Sequence, residues 1–293
     1  MKAAPFDFVR AGDVDEVCRL LQAADGEAQI IAGGQSLVPL MAARMARPAL
    51  LIDINHIAAL SGISVESDRL RIGACTRQRA VEQSAKAARA CPLLTKAISQ
   101  IGHIQTRNRG TVGGSLCQAD PASEIPLVAV TLGATLIVQG SAGERSLPAR
   151  EFFHATMTTA LAPDDCLIAV TFPVWQDERV GTSFHEVSMR RGDFAMVSAA
   201  AQLALDEDGI CRRAALGLGA VAPSPIYLDA ASAALVGQVP TDGVIDQIAA
   251  QAVSQIDPET DVHASADYRR RVAPKLLRRT MNDALAEARV TLP

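Results

Sequence analysis

Two short glycine-containing segments constrain this chain of 293 residues more than any other feature of its sequence. The longer one, here called the second glycine segment, covers residues 107–121 and reads RNRGTVGGSLCQADP. Glycine has no Cβ, so its backbone can approach a ligand closely, and successive amides can bind an anion. Helical patterns at 93–101 and 125–132 flank the segment, and Asp120 and Pro121 suit the start of the second helix. We predict a loop between two helices, which is either an anion-binding loop or a tight turn without a ligand.

The first glycine segment, residues 29–36, reads QIIAGGQS and has the same character. An apolar run meets a Gly-Gly turn, and Ser36 can cap a helix that runs to about Ala46 with Pro39 in its first turn. The run ALLIDIN at 49–55 is typical of a strand. Two such segments, about 80 residues apart, favour two loops that close on one elongated ligand. A pyrophosphate is the natural ligand for two loops of backbone amides.

Composition excludes several classes of function. The net charge of −4 and the aromatic content of 3% provide neither the basic surface nor the stacking residues of a nucleic-acid-binding protein. No apolar run reaches the roughly 18 residues of a transmembrane helix, and the N-terminus lacks the apolar stretch of a secretory signal. We therefore expect no nucleic acid partner, no membrane insertion and a cytoplasmic location.

The cysteines and histidines are scattered along the chain. Zinc and iron–sulfur sites usually contain closely spaced cysteines such as CxxC, and neither that motif nor HExxH is present. The sequence therefore predicts no metal site in this chain. The cysteines, predicted to be reduced thiols, are Cys18, Cys75, Cys91, Cys117, Cys166 and Cys211.

The remaining patterns predict more than one domain. An amphipathic helix at 13–24 precedes the first glycine segment, and a hairpin at 63–74 and a helix at 76–90 follow it. A second hairpin begins at 134, and a strand at 166–174 is followed by a polar, unpatterned stretch that marks a boundary. The predicted domains are residues 1–176, with subdomains of about 1–55 and 56–176, and residues 177–293.

The last third predicts a smaller α+β domain. Strand patterns lie at 182–189, 195–205 and 212–218, and helical patterns at 230–235, 244–254 and 264–289, the last divided in two by Pro274. The segment 264–289 carries seven basic and three acidic residues, and it is either a solvated helical face paired with the chain's own acidic surface or a contact region for another subunit. Residues 217–222 fit the dinucleotide fingerprint GxGxxA, but Pro223 and Pro225 prevent the helix that this fingerprint must open. We predict a turn after a strand there.

Three stretches of the sequence are similar to one known family. They are AGGQSLVPLMAARMARP at 32–48, IGHIQTRNRGTVGGSLCQADPASEIP at 101–126 and FHEVSMRRGDFAMV at 184–197. They resemble the FAD-binding medium subunit of the molybdenum hydroxylases, which include carbon monoxide dehydrogenase and xanthine dehydrogenase. The resemblance extends from Phe6 to about Tyr268. It implies a two-part FAD-binding domain of the vanillyl-alcohol-oxidase (PCMH) type, followed by a smaller α+β C-terminal domain.

The resemblance also implies which residues bind FAD. Asp120 and Glu124 match acidic positions that accept hydrogen bonds from sugar or ribityl hydroxyls, although Asp120 could instead be only a helix cap. Ile101 and Leu167 match apolar positions near the cofactor, and Phe194 matches an aromatic position beside the flavin ring; core packing is the alternative for all three. The residues of the two segments implied to hold FAD are Ala32, Gly33, Gly34, Gln35, Ser36, Leu37, Thr111, Val112, Gly113, Gly114 and Ser115.

Three further positions have open interpretations. His185 stands where some relatives carry lysine. Arg107 and Arg109 could offset phosphate charge, or they are ordinary surface arginines. No residue of this chain is implied to be catalytic.

The resemblance implies one component of a larger enzyme. In the family, a large subunit hydroxylates the organic substrate at a molybdenum cofactor, and electrons pass through two [2Fe-2S] clusters of a small subunit to FAD, which reduces an external acceptor. This implies large and small partner subunits, assembled as a dimer of heterotrimers. Two alternatives remain, a self-sufficient FAD-dependent oxidoreductase of the same fold and a flavin-free scaffold subunit. Turnover by the isolated chain would favour the former, and a colourless pure protein the latter.

Overall fold

The structure of the chain, a computed structural model, describes residues 2–290 and begins with a small parallel sheet. The elements of this first part are β1 (Asp7–Arg10), α1 (Val14–Ala23), β2 (Ala28–Ile31), α2 (Leu37–Ala42) and β3 (Leu50–Asp53). β3 lies between β1 and β2 and is parallel to both. The Asp13 carboxylate caps α1 by accepting a hydrogen bond from the Glu16 amide at 2.7 Å. Val17 of α1 and Ile52 of β3 share one hydrophobic core.

The second part is an antiparallel sheet packed against a layer of short helices. Its elements are β4 (Ile63–Glu66), β5 (Arg69–Gly73), α3 (Gln78–Glu82), α4 (Ala85–Ala90), α5 (Pro92–Ile98), α6 (Ile104–Arg109), α7 (Val112–Gln118), α8 (Glu124–Leu132), β6 (Thr135–Gly140), β7 (Gly143–Pro148), α9 (Ala149–Phe152), β8 (Phe153–Ala155), β9 (Thr158–Thr159) and β10 (Cys166–Pro173). The strand order is β4-β5-β10-β6-β7, and β8 pairs with β9 separately. Both predicted hairpins are confirmed. The core of this part contains Leu94, Leu116 and Ile125 from the helices and Leu70 and Phe172 from the sheet.

The second glycine segment is not the open loop that its composition predicts. Its central residues form α7, which begins directly after Thr111. The Thr111 hydroxyl oxygen accepts a hydrogen bond from the Gly114 amide at 3.0 Å, so Thr111 is the N-cap of this helix. Glycine weakens a helix by roughly 0.5 to 1 kcal/mol relative to alanine. The contacts of α7 with the sheet, described below, offset this cost.

Asp120 and Pro121 do not begin α8, and that prediction was wrong. The helix begins at Glu124. The Asp120 carboxylate instead accepts a hydrogen bond from the Ala122 amide at 2.9 Å, which closes a tight turn. This turn follows Ala119, whose left-handed conformation (φ +51°) ends α7. Aspartate favours helix caps and turns for the same chemical reason, so its sequence position alone did not separate the two.

Two predicted helices are shorter than their patterns indicate. α2 ends at Ala42 rather than Ala46, and Ser36 occupies its N-cap position without a side-chain hydrogen bond. The pattern at 76–90 is divided into α3 and α4 by Ser84, whose hydroxyl oxygen accepts a hydrogen bond from the Ala87 amide at 3.1 Å. A serine is compatible with helix periodicity and with a cap, and here it caps a new helix.

The last part is a four-stranded antiparallel sheet covered by helices. Its elements are β11 (Arg179–Val187), β12 (Val197–Leu205), β13 (Cys211–Gly219), β14 (Ile226–Tyr227), α10 (Asp229–Leu235), α11 (Asp242–Gln251) and α12 (Ala266–Val290). The strands pair in chain order. α12 lies against β11 and β12. A Cβ on Gly181 of β11 would overlap the backbone of α12 at Ala284, so this glycine allows the close approach.

α12 is continuous, so the predicted division at Pro274 was wrong. An interior proline removes one helix hydrogen bond and costs about 3 kcal/mol. Burial of Ala273, Leu277 and Met281 in the core beneath the sheet offsets that cost.

α8 of the second part packs against β13 of the last part. A Cβ on Gly217 of β13 would overlap the Thr131 hydroxyl and lie 3.0 Å from Cδ1 of Leu127. The stretch 217–222 ends a strand and then turns at Ala220, as predicted. Gly217 therefore allows a helix to approach the sheet.

Candidate functional site

The fold brings the two glycine segments into direct contact. A Cβ on Gly33 would overlap the carbonyl oxygen of Arg109 and lie 2.9 Å from the Cα of Gly110. A side chain at position 33 would prevent the two backbones from approaching so closely. Segments that are distant in sequence therefore form one site.

The first glycine segment leaves a row of backbone amides without partners. Within residues 2–290, the amides of Gly33, Gly34, Gln35 and Ser36 donate no hydrogen bond. Gly34 has a φ of +70°, which glycine adopts at little cost. The Gln35 side-chain amide donates to the Gly33 carbonyl oxygen at 3.2 Å and stabilises the turn. Successive free amides in such a turn form a site for an anion.

The second glycine segment uses most of its amides internally. The Val112 amide donates to the Thr76 carbonyl oxygen at 3.0 Å, and the Gly113 amide donates to the Ala74 carbonyl oxygen at 2.8 Å. A Cβ on Gly113 would lie 2.6 Å from the Cβ of Ala74. Gly113 thus serves close packing of α7 on the chain that follows β5. On the opposite side of α7, Gly114 and Cys117 are exposed.

An acidic cluster, defined as Asp120, Glu124 and Glu186, lies beyond the second segment. Burial, together with the charges of Glu186 and Asp120, raises the pKa of Glu124 to about 8. Burial likewise raises the pKa of Glu186 to about 7. Oε2 of Glu186 is buried and has no hydrogen-bond partner among the described residues. Glu186 belongs to β11, so the cluster spans both halves of the chain, and no local pattern identified this residue.

The apolar candidates have different environments. Ile101 and Leu167 are buried in the core of the second part. Phe194 is 62% exposed, so the alternative of core packing is wrong for this residue. The turn before it lies against Gly102, because a Cβ on Gly192 would be 2.9 Å from the Gly102 carbonyl oxygen. Phe194 therefore follows a turn that contacts the residue next to Ile101.

Two of the open positions have internal partners. Nε2 of His185 lies 2.6 Å from Oδ2 of Asp283. The Arg107 guanidinium donates to both carboxylate oxygens of Glu82, at 2.9 and 3.2 Å, and to the Ile101 carbonyl oxygen at 2.8 Å. Arg107 is therefore a structural residue that holds the chain around Ile101.

A chain of hydrogen bonds that sequence reasoning missed connects the two segments. Nη1 of Arg77 donates to the Arg109 carbonyl oxygen at 2.6 Å, and Nη2 donates to Oδ1 of Asn55 at 2.7 Å. Nδ2 of Asn55 in turn donates to the Ala32 carbonyl oxygen at 2.9 Å. We call this the Asn55–Arg77 bridge.

Two further properties concern the described residues. Between residues 2 and 290, no group of three or more His, Cys, Asp and Glu side chains could hold a metal ion. In the same part of the chain, no helix is both long and apolar enough to cross a membrane.

Comparison with known proteins defines the class. Residues 4–175 match the FAD binding domain in molybdopterin dehydrogenase, and residues 182–284 match the CO dehydrogenase flavoprotein C-terminal domain. The chain is therefore an FAD-binding component of an oxidoreductase.

Relatives and solved structures agree with this class. The chain is 38% identical over 291 residues to the 6-hydroxypseudooxynicotine dehydrogenase complex subunit alpha of Paenarthrobacter nicotinovorans, with 99% of this chain and 98% of the relative covered. It is 32% identical to the carbon monoxide dehydrogenase medium chain of Afipia carboxidovorans, with 97% and 98% covered. Carbon monoxide dehydrogenase from Hydrogenophaga pseudoflava superimposes with a TM-score of 0.95 at 31% identity, covering 98% of this chain and 99% of that one.

The chain belongs to the family of FAD-binding medium subunits of the multi-subunit molybdenum hydroxylases. The resemblance seen in the sequence is thereby confirmed. The α+β fold, with an FAD-binding domain followed by a smaller C-terminal domain, is also confirmed.

Proposed function

We propose that the two glycine segments hold one FAD molecule non-covalently. The observation that carries this proposal is the row of free amides at Gly33, Gly34, Gln35 and Ser36, which suits the negative charges of a pyrophosphate. The contact of Gly33 with Gly110 keeps side chains out of the space between the segments. The residues present therefore fit the cofactor.

Each candidate residue has a role in this proposal. Residues 32–37 and 111–115 surround the pyrophosphate and the ribityl chain. Asp120 and Glu124 bind hydroxyl groups, and Glu124, with a pKa of about 8, can donate as well as accept a hydrogen bond at neutral pH. Ile101 and Leu167 form an apolar floor, and the exposed Phe194 lies beside the flavin ring.

Bound FAD supplies the redox chemistry, taking electrons from the [2Fe-2S] clusters of a small partner subunit and passing them to an external acceptor. The chain itself binds and orients the cofactor. The molybdenum cofactor belongs to a large partner subunit, and no residue of this chain takes part in hydroxylation.

The domain division proposed is residues 1–176 and 177–293, with the first divided near residue 55. The family matches at 4–175 and 182–284 support the main boundary. The parallel and antiparallel sheets on either side of residue 55 support the division within the first domain.

We further propose that the complex is a dimer of heterotrimers in the cytoplasm. Support for a multi-subunit complex comes from the relatives, which are named as a complex subunit alpha and as a medium chain. The six free cysteines are typical of a reducing compartment.

The proposal is tested by the absorption spectrum of the pure chain before and after acid precipitation. We expect a flavin spectrum that passes fully into the supernatant and corresponds to about one FAD per chain. Colour retained in the pellet would contradict non-covalent binding, and a colourless protein that does not take up added FAD would contradict the site.

The role within a complex needs a second experiment. We expect the isolated yellow chain not to hydroxylate any organic substrate, and dye-linked turnover to require co-expression with large and small partner subunits. Hydroxylation by the isolated chain, free of molybdenum and iron, would instead identify a self-sufficient flavoenzyme.

A further inference from the structure

The two carbonyl oxygens held by the Asn55–Arg77 bridge occupy equivalent places. Each one immediately precedes a glycine of the contact between the two segments, because Ala32 precedes Gly33 and Arg109 precedes Gly110. The bridge therefore acts on the two peptide units where the segments meet.

Because the peptide unit is planar, fixing the direction of its carbonyl group also fixes the direction of its amide N–H group. In a trans peptide the C=O and N–H groups point in opposite directions, and the described chain contains no cis peptide bond. Asn55 holds the Ala32 carbonyl oxygen, so the amide of Gly33 is directed away from Asn55. That amide is the first of the four free donors.

Asp53 fixes the Asn55 end of the bridge. Oδ1 of Asp53 accepts hydrogen bonds from the Asn55 backbone amide at 3.0 Å and from its Nδ2 at 2.6 Å. Asp53 is buried, and these two bonds determine the orientation of the Asn55 side-chain amide. Its Oδ1 then faces Arg77, whose fork-shaped guanidinium bonds two acceptors at once.

The bridge also changes the charge around the site. Both carbonyl oxygens carry partial negative charge, and both accept a hydrogen bond from the bridge. The guanidinium adds a full positive charge between the segments, and charge-assisted hydrogen bonds of this kind are stronger than neutral ones. These effects favour a bound anion.

We propose that Asn55 and Arg77 are positioning residues, which hold the two glycine segments together and orient the first segment so that its free amides can bind the pyrophosphate of FAD. This inference rests on the proposed function. Neither side chain needs to contact the cofactor, because each acts through a backbone carbonyl group.

The test is FAD affinity of the full-length apoprotein, measured by quenching of flavin fluorescence, together with the melting temperature without FAD. Asn55→Ala and Arg77→Ala should each raise the Kd for FAD roughly tenfold, while the double variant is little weaker than either single variant. The matched control is Arg89→Ala, which removes an exposed arginine of α4 and should leave the Kd unchanged.

Conservative variants separate positioning from a general loss of structure. Arg77→Lys keeps the charge but cannot bond both acceptors in the same geometry, so its Kd should lie between those of wild type and Arg77→Ala. Asn55→Asp keeps the acceptor for Arg77, loses the donor to Ala32 and places a second carboxylate beside that of Asp53, so it should weaken FAD binding and also lower the melting temperature.

Three results would overturn the inference. A Kd within about twofold of wild type in both alanine variants would show that the bridge does not position the site, and strictly additive effects would show that the two residues act separately. Failure of the wild-type apoprotein to bind FAD would overturn the proposed function and this inference with it.

Discussion

In the first glycine segment the amides from Gly33 to Ser36 have no partners, whereas in the second the amides of Val112, Gly113 and Gly114 all donate within the chain. Both segments contain a Gly-Gly pair, followed by Gln35 and Ser36 in the first and directly by Ser115 in the second. The two differ in how the adjoining helix begins. Ser36 makes no capping hydrogen bond, whereas Thr111 caps α7 and the chain that follows β5 accepts hydrogen bonds from the first turn of that helix. A Gly-Gly pair therefore indicates that another group comes close to the backbone. It does not indicate whether that group is a ligand or another part of the chain.

The largest effect should come from the point where the segments touch. Gly33→Ala places a Cβ against the backbone of Arg109 and Gly110, where no flexible side chain can move aside. We expect FAD binding to be lost and the free energy of unfolding to fall by about 2 kcal/mol. The control is Gly243→Ala in α11, where a Cβ meets nothing within 4 Å. Equal flavin content in both variants would show that the contact is dispensable.

The acidic cluster beyond the second segment predicts a pH dependence without counterpart in the first. The pKa of Glu124 is raised from 4.5 to about 8, and that of Glu186 from 4.5 to about 7. Between the unfolded and the folded pKa values, the folded apoprotein therefore binds more protons than the unfolded chain. Its stability is greatest at low pH and falls as the pH rises through the folded pKa values.

We expect this fall to appear in the free energy of unfolding, measured by urea unfolding of the apoprotein between about pH 5 and pH 8. Glu124→Gln and Glu186→Gln should each reduce the fall in stability with rising pH, while Glu178→Gln at an exposed position should not. A constant or rising stability across this range would contradict the buried, protonated carboxyl groups.

Gly114→Val tests the exposed face of α7. A Cβ here meets only the Thr111 hydroxyl, at 2.7 Å, so we expect FAD binding to be abolished with most of the fold retained and a loss of stability of about 1 kcal/mol. Gly219→Val, in contrast, would overlap the buried Ser198 hydroxyl and should cost stability but keep flavin content. Similar flavin loss in both variants at equal stability would show that the cofactor does not bind at the exposed face of α7.

The smallest effects concern the two helix starts. Thr111→Ala removes an N-cap hydrogen bond and should cost about 1 kcal/mol, whereas Ser36→Ala removes no such bond and should cost less than about 0.5 kcal/mol. Thermal unfolding of the two apoproteins measures the difference. Equal losses would mean that the segments are capped alike.

The sequence predicted what local chemistry determines. The amphipathic helix at 13–24 and the two hairpins depend on residues that are close together in the chain. It did not predict that α12 continues through Pro274, because burial against a sheet of distant residues outweighs the local cost.

The site was predicted only in part for the same reason. The glycines, Asp120 and Glu124 belong to recognisable segments, but Asn55, Arg77 and Glu186 have no unusual local pattern. Their roles arise from contacts between residues far apart in sequence, such as Arg77 with Arg109 and Asn55 with Ala32.

An experimental structure of the chain with FAD tests the central claim most directly. We predict pyrophosphate oxygens within hydrogen-bonding distance of amides between Gly33 and Ser36, with the Gly113 amide still bonded to the Ala74 carbonyl oxygen. A pyrophosphate bound instead by the first-turn amides of α7, with those of the first glycine segment still free, would contradict the account.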